Sequence, residues 1–229
     1  GGRPAQVGYK VTSDNYNAEE WALETTIDDR QRSNADQPIT LEENATILLQ
    51  QKQMIREDRI WASDFFQTGK WSVEETGGTD FTPFDDASSE PITVIDRLKT
   101  EMAQSTGFMP NTIVCGANVK DSLRSNPDIT DRIKYTQTGV ASYGILESLF
   151  EVDSFMVARS VYNSSVETSD ADGGLAMEFI ADPNALWLGY IAPTAGLNVP
   201  TAIARFAWTG LIPGATNNLG GVITRGRDG

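Results

Sequence analysis

Residues 40–66, TLEENATILLQQKQMIREDRIWASDFF, form the one long segment with sustained helical periodicity, and they constrain the fold more than any other stretch of the chain. Thr40 followed three residues later by Glu43 spells a capping box, and Glu42 and Glu43 set negative charge at the positive end of the helix dipole. Gly69 stands just past the last periodic residue and marks the stop. Leu41, Ala45, Leu48, Ile55, Ala62 and Phe66 recur at three- or four-residue steps, and Met54, Trp61 and Phe65 widen that stripe. One packed face is therefore expected, with Leu48 on it and Gln51 on the polar side. At about 1.5 Å per residue the helix runs roughly 40 Å, which predicts a brace for something elongated. A helical hairpin arm or coiled-coil seam is the alternative, but the heptad is not sustained and no second helix of similar length is predicted to pair with it.

The segments around this helix read as a mixture of strands and shorter helices. In residues 3–35, Val7, Tyr9 and Val11 alternate, and Trp21, Leu23, Thr25 and Ile27 alternate again, which predicts two extended segments around the turn at 13–15. The first carries too few apolar residues for a core of its own, so it is expected to project as an arm or loop, or else to fray as a terminus. After the helix, residues 69–89 read as a long irregular connection between subdomains. Ser89 and Pro91 open a second helix with Ile92, Ile95, Leu98 and Met102 on its buried side and Gly107 at its end. A short buried strand is predicted over 112–115, helices over 118–125, 128–134 and 142–150, and strands over 155–161, 175–181, 185–191 and 202–209. This order is α+β, without the regular alternation of a doubly wound parallel sheet.

The chemistry open to the chain is narrow. It contains no histidine, which removes the commonest general base, hydrolase triads and most zinc sites. Thr68-Gly69-Lys70 lacks the upstream glycine and strand of a phosphate-binding loop and reads as a helix stop. Residues 170–174, DADGG, resemble the start of a calcium loop but lack its closing glutamate, so a solvated turn is expected. Asp28-Asp29 and Asp85-Asp86 read as surface carboxylates, because adjacent side chains point apart. No catalytic, cofactor-binding or metal-binding residue is assigned, and no cofactor is expected. Thirty-two acidic against eighteen basic residues give a net charge of -14, which opposes wrapping of nucleic acid through its phosphates. Cys115, the only cysteine, lies in the apolar run TIVCG and reads as a buried structural thiol in a protein folded under reducing conditions. No apolar run reaches the eighteen or so residues needed to span a bilayer, so no membrane partner is expected. Gly1-Gly2 without an initiator methionine and Arg227-Asp228-Gly229 directly after a strand-like run predict truncation or processing at both ends.

Three clusters of residues carry a family resemblance: 79–84 (TDFTPF) before the second helix, 127–129 (PDI) running into 132–136 (RIKYT), and 149–153 (LFEVD). In that succession, within an order that runs from about residue 9 to 209, the chain resembles a tailed-bacteriophage major capsid protein. The resemblance implies a Hong Kong 97-type capsid fold, with residues 1–36 holding part of an extended loop and its returning strand. Residues 37–87 would then be the spine helix and connection of a peripheral domain, 88–200 an axial domain, and 201–229 the return to the peripheral domain. It implies a structural, non-enzymatic subunit that closes through pentamers and hexamers into an icosahedral head around double-stranded DNA, without binding that DNA specifically. The expected location is the virion capsid, assembled in the bacterial host cytoplasm, with scaffolding, portal and decoration proteins as further partners. Arg3, Val7, Tyr9, Lys10 and Val11 are the expected inter-subunit contacts, because that segment cannot repay its own ordering entropy. A lysine in the loop suits an isopeptide bond, but Lys10 is expected to do nothing covalent. The family's usual amino-terminal arm and last carboxy-terminal strand are not evident. Two alternatives stay open: a shell subunit of the same fold that encloses enzymes, and a carboxylate-dependent enzyme.

Overall fold

The computed structural model describes residues 21–33, 40–134, 142–165, 176–194, 196 and 199–205. The chain divides into two units, one of residues 1–39 and 205–229 and one of Thr40–Ala204. In the first, residues 21–28 join no strand ladder, although their alternation predicts one, and a short helix α1 follows at Asp29–Ser33. Period-two alternation needs a pairing partner to become a strand, and among the described residues of this unit there is none.

The second unit opens with α2, Leu41–Phe65, within a residue of the bounds read from the sequence. The Thr40 hydroxyl donates to a Glu43 carboxylate oxygen at 2.8 Å, while the Thr40 carbonyl accepts the Asn44 amide at 3.1 Å, so the predicted capping pair meets through side chains. The packed stripe holds only at the helix's carboxyl end. Ala62 and Phe66 are buried, and Trp61 stacks on Phe66 with centroids 5.0 Å apart. Leu48, expected on the packed face, is instead 48% exposed, and Leu41, Ala45 and Ile55 are half-buried. The reason is length. A helix of 25 residues is about 37 Å long, whereas the central strand of five residues spans only about 17 Å, so the core covers only the end of α2 that lies against it.

After an irregular connection come α3 (Pro91–Thr106), β1 (Thr112–Gly116), α4 (Ala117–Ser125), α5 (Pro127–Ile133), α6 (Tyr143–Phe150) and β2 (Ser154–Ala158). Strands β3 (Val161–Asn163), β4 (Met177–Phe179) and β5 (Leu186–Gly189) complete the order. β1 is the middle of a three-stranded sheet, parallel to β2 and antiparallel to β5. All five of its residues are buried, which is why TIVCG reads as a continuous apolar and small run instead of an alternation. Ile113, Cys115 and Phe155 point to one face and pack with Ile92 and Ile95 of α3, Val119 and Leu123 of α4, Ile129 of α5, and Leu146 and Phe150 of α6. Val114 and Trp187 point to the other and pack with Ala62, Phe66 and Ala181. At the end of β1 a Cβ on Gly116 would lie 2.3 Å from the Pro183 carbonyl oxygen, so only glycine allows residues 182–185 to approach this closely.

Two predicted strands change. Residues 155–161 are not one strand: β2 belongs to the three-stranded sheet and β3 to a separate ribbon with β4. The break falls at Ser160, whose hydroxyl donates to an Asp58 carboxylate on α2 and whose carbonyl accepts the Ile180 amide at 2.9 Å. Residues 202–205 form no ladder: the Ala202 amide makes a single bond to the Tyr190 carbonyl at 2.8 Å, and 206–209 lie outside the described residues. The segments predicted at 175–181 and 185–191 shorten to β4 and β5. The second helix buries Ile92 and Ile95 as expected, while Leu98 and Met102 are half-buried and Lys99 is buried in their place.

Candidate functional site

The groups with chemical potential are mostly occupied in holding the fold. Cys115 is buried, and removal from water pushes its thiol up to about 12, so it is a poor nucleophile in the folded chain. Asp86 accepts from the Ser88 amide and hydroxyl, both at 2.7 Å, and the Ser88 amide chiefly holds its carboxyl below the usual range. It is a turn carboxylate, and Asp28 and Asp29 are exposed in the other unit. Among the described residues no group of three or more His, Cys, Asp or Glu side chains can hold a metal ion, and no helix is long and apolar enough to cross a membrane. The DADGG segment lies outside the described residues.

Past the end of α2, Gly69 adopts φ +88°, a left-handed conformation that starts a small concavity of backbone amides. The amides of Gly69, Lys70 and Trp71 all donate to the Glu74 carboxylate, at 2.8, 3.0 and 3.0 Å. Those amides, Gly69 first, hold the Glu74 carboxyl below its ordinary value. The predicted helix stop is therefore also a ready anion nest, filled by the chain's own side chain. It orients Trp71, whose indole N–H donates to the Phe65 carbonyl at 2.7 Å and whose ring lies 5.7 Å from that of Trp187 in β5.

Among the large apolar side chains that the unit exposes are two groups, one on α2 and one on the β3–β4 ribbon. On α2, Ile47, Leu48 and Met54 are exposed beyond the reach of the core. On the β3–β4 ribbon, Val161 pairs with Phe179 and Asn163 with Met177, so these four share one face, and Tyr162 and Glu178 share the other. The second face meets α2, with the Arg59 guanidinium 4.7 Å from the centroid of the Tyr162 ring. The first is exposed along its whole length. Such surfaces perform no covalent chemistry, but they can associate.

The expected contact residues Arg3, Val7, Tyr9, Lys10 and Val11 lie outside the described residues. Sequence reading did not single out the polar residues at the joints. Asn111 donates to the Ile191 carbonyl and accepts its amide, both at 2.9 Å, and its own carbonyl accepts the Asp153 amide at 2.8 Å, so it closes one end of the sheet. Buried Asn126 caps α5 through the Asp128 amide at 2.9 Å and donates to the Phe84 carbonyl at 3.2 Å. Lys99 donates to the Phe150 carbonyl at 2.6 Å and is only 3% exposed. The available signals were an asparagine beside a proline, in Pro110-Asn111 and Asn126-Pro127, and a lysine at the helical spacing of the apolar side of α3. The three resemblance clusters fall at these joints. Phe84 packs against the helical core, residues 127–129 begin α5 at its Asn126 cap, and residues 149–153 contain the carbonyls that Lys99 holds.

A crystal structure of a phage-related protein from Bordetella bronchiseptica RB50 shares the fold, with a TM-score of 0.55 at 19% identity over 70% of this chain and 49% of that one. A major capsid protein of Burkholderia phage BcepMu is 33% identical over 79 residues, which are 34% of this chain and 26% of that protein. The chain thus spans about half of the first protein and about a quarter of the second. A sequence model of the family described as phage major capsid protein E matches residues 11–188, a stretch that includes the helical core, the β3–β4 ribbon and the Lys99 and Asn126 joints, and that ends within β5. The chain belongs to the phage major capsid protein E family.

Proposed function

We propose that this chain is the self-associating subunit of an icosahedral phage head with the Hong Kong 97-type fold. In this reading α2 is the spine helix of a peripheral domain (37–87), residues 88–200 are the axial domain, 1–36 hold part of the extended loop and returning strand, and 201–229 return to the peripheral domain. The subunit has no turnover. Copies close through pentamers and hexamers, with Arg3, Val7, Tyr9, Lys10 and Val11 held by a neighbour, and with scaffolding, portal and decoration proteins as partners. The shell forms in the host cytoplasm and becomes the virion capsid. The double-stranded DNA inside is enclosed without specific contact, consistent with a chain of charge -14.

Beyond family membership, the observation that carries the reading is the half-covered helix. The apolar stripe of α2 continues past its own core with Ile47, Leu48 and Met54 exposed, an arrangement that suits a brace completed by neighbouring copies. The test is assembly of the purified chain, with and without a scaffolding partner, followed by negative-stain imaging. Closed particles or their pentameric and hexameric building blocks are expected. A monodisperse monomer under every condition refutes the proposal.

A further inference from the structure

We infer that the outer face of the β3–β4 ribbon, formed by Val161, Met177 and Phe179, is a contact surface for a second copy of this chain. The inference rests on the shell reading above and adds to it a surface that neither the family match nor the proposed loop contacts name. A ribbon of two strands is marginal on its own and needs cover on its faces or a third strand at an edge. Among the described residues this ribbon receives cover on one face only. Tyr162 lies under Arg59 of α2, and Ser160, at the start of the ribbon, bonds to Asp58 of the same helix. The cross-strand register then sends Val161, Asn163, Met177 and Phe179 to the side away from α2. Val161, Met177 and Phe179 are 40, 56 and 43% exposed.

The chemistry of the face selects its occupant. None of its four residues is ionisable, in a chain with fifty charged side chains and a net charge of -14. Two such chains repel, so contacts between copies form most readily where charge is absent and apolar area is present. The face offers no lysine or arginine to a phosphate, which disfavours nucleic acid, and a two-stranded ribbon is not concave enough to enclose a small ligand. A face set at a fixed angle on the brace helix suits a head-to-tail contact that repeats around a ring.

The experiment uses the full chain carrying Met177→Cys. Cys115 is buried and suppressed as a nucleophile, so the introduced thiol dominates the maleimide reaction of the folded protein. Labelling is followed in unassembled subunits and in particles. At least about tenfold slower labelling in particles is expected if the side chain enters a desolvated interface. Equal labelling rates overturn the inference while leaving the shell reading intact. Protection that appears only when a different protein is added assigns the face to that partner and also overturns it. If the unaltered chain forms no particles, the shell reading fails and this inference fails with it. Phe179→Lys is the second variant: with an unchanged urea midpoint it should lose particle formation, and wild-type assembly by a folded Phe179→Lys chain would contradict the proposal.

Discussion

Replacing Lys99 by methionine isolates one buried joint. The ammonium donates to the Phe150 carbonyl at 2.6 Å and to the Glu151 carbonyl at 3.4 Å, and these oxygens end α6 just where Glu151 turns into the left-handed region at φ 50°. Charge-assisted bonds of this kind contribute about 1.5–3 kcal/mol, and a cation at a helix carboxyl end adds about 0.3–2 kcal/mol. Methionine retains the packing of the aliphatic stem and relieves the desolvation of the ammonium, but it leaves the Phe150 carbonyl unpaired in a dry site at a cost of about 1–3 kcal/mol. The net expected loss is about 2 kcal/mol, since relief of desolvation offsets part of what is removed. A urea titration followed by far-UV circular dichroism measures it. Glu151→Gln is the control: that carboxylate stands 3.9 Å from the ammonium but its side chain is 82% exposed, so the change should stay within about 0.5 kcal/mol. A Lys99→Met chain as stable as the unaltered one would refute the argument that this lysine ties α3 to α6.

On α2 the structure separates two positions that periodicity places on one stripe. Leu48→Asp should stay within about 1 kcal/mol in the isolated subunit, whereas Ala62→Asp, beside Phe66 and Trp187, should cost about 3–5 kcal/mol; equal denaturant midpoints would refute the burial assignment. Glu74 is held ionised by the amides of Gly69, Trp71 and Lys70, so its folded-state pKa lies below its unfolded one. Its contribution is therefore full above the ordinary glutamate range and is lost as pH falls through the depressed value. Glu74→Gln should flatten the acid limb of the thermal midpoint and alter the fluorescence of the Trp71–Trp187 pair, and parallel pH curves would count against the nest. Under the proposed loop assignment, amides of residues 3–13 become protected from hydrogen exchange on assembly, and equal exchange in subunits and particles would remove that assignment.

Local signals in the chain were enough for the elements whose causes are local. The long helix was legible from Thr40, Glu43 and its unbroken spacing, α3 from Pro91 and Gly107, and the central strand from the run TIVCG, because caps, periodicity and breakers act within a few residues. The absence of histidine and the charge of -14 likewise bounded the chemistry before any fold was known. Partnership was decided only in three dimensions. Leu48 and Ala62 occupy the same stripe of α2, yet one is exposed and the other buried, because burial depends on where the sheet ends. The run 155–161 divides between two sheets because Ser160 meets Asp58 a hundred residues away in sequence, a contact that no local periodicity encodes. The same holds for Lys99, a lysine like any other until α6 brings two carbonyls to its end, and for the ribbon, whose outer face is defined by the helix that occupies its inner one. Periodicity reports which side of an element is apolar, and the tertiary arrangement alone determines whether a chain covers that side by itself or leaves it for another copy.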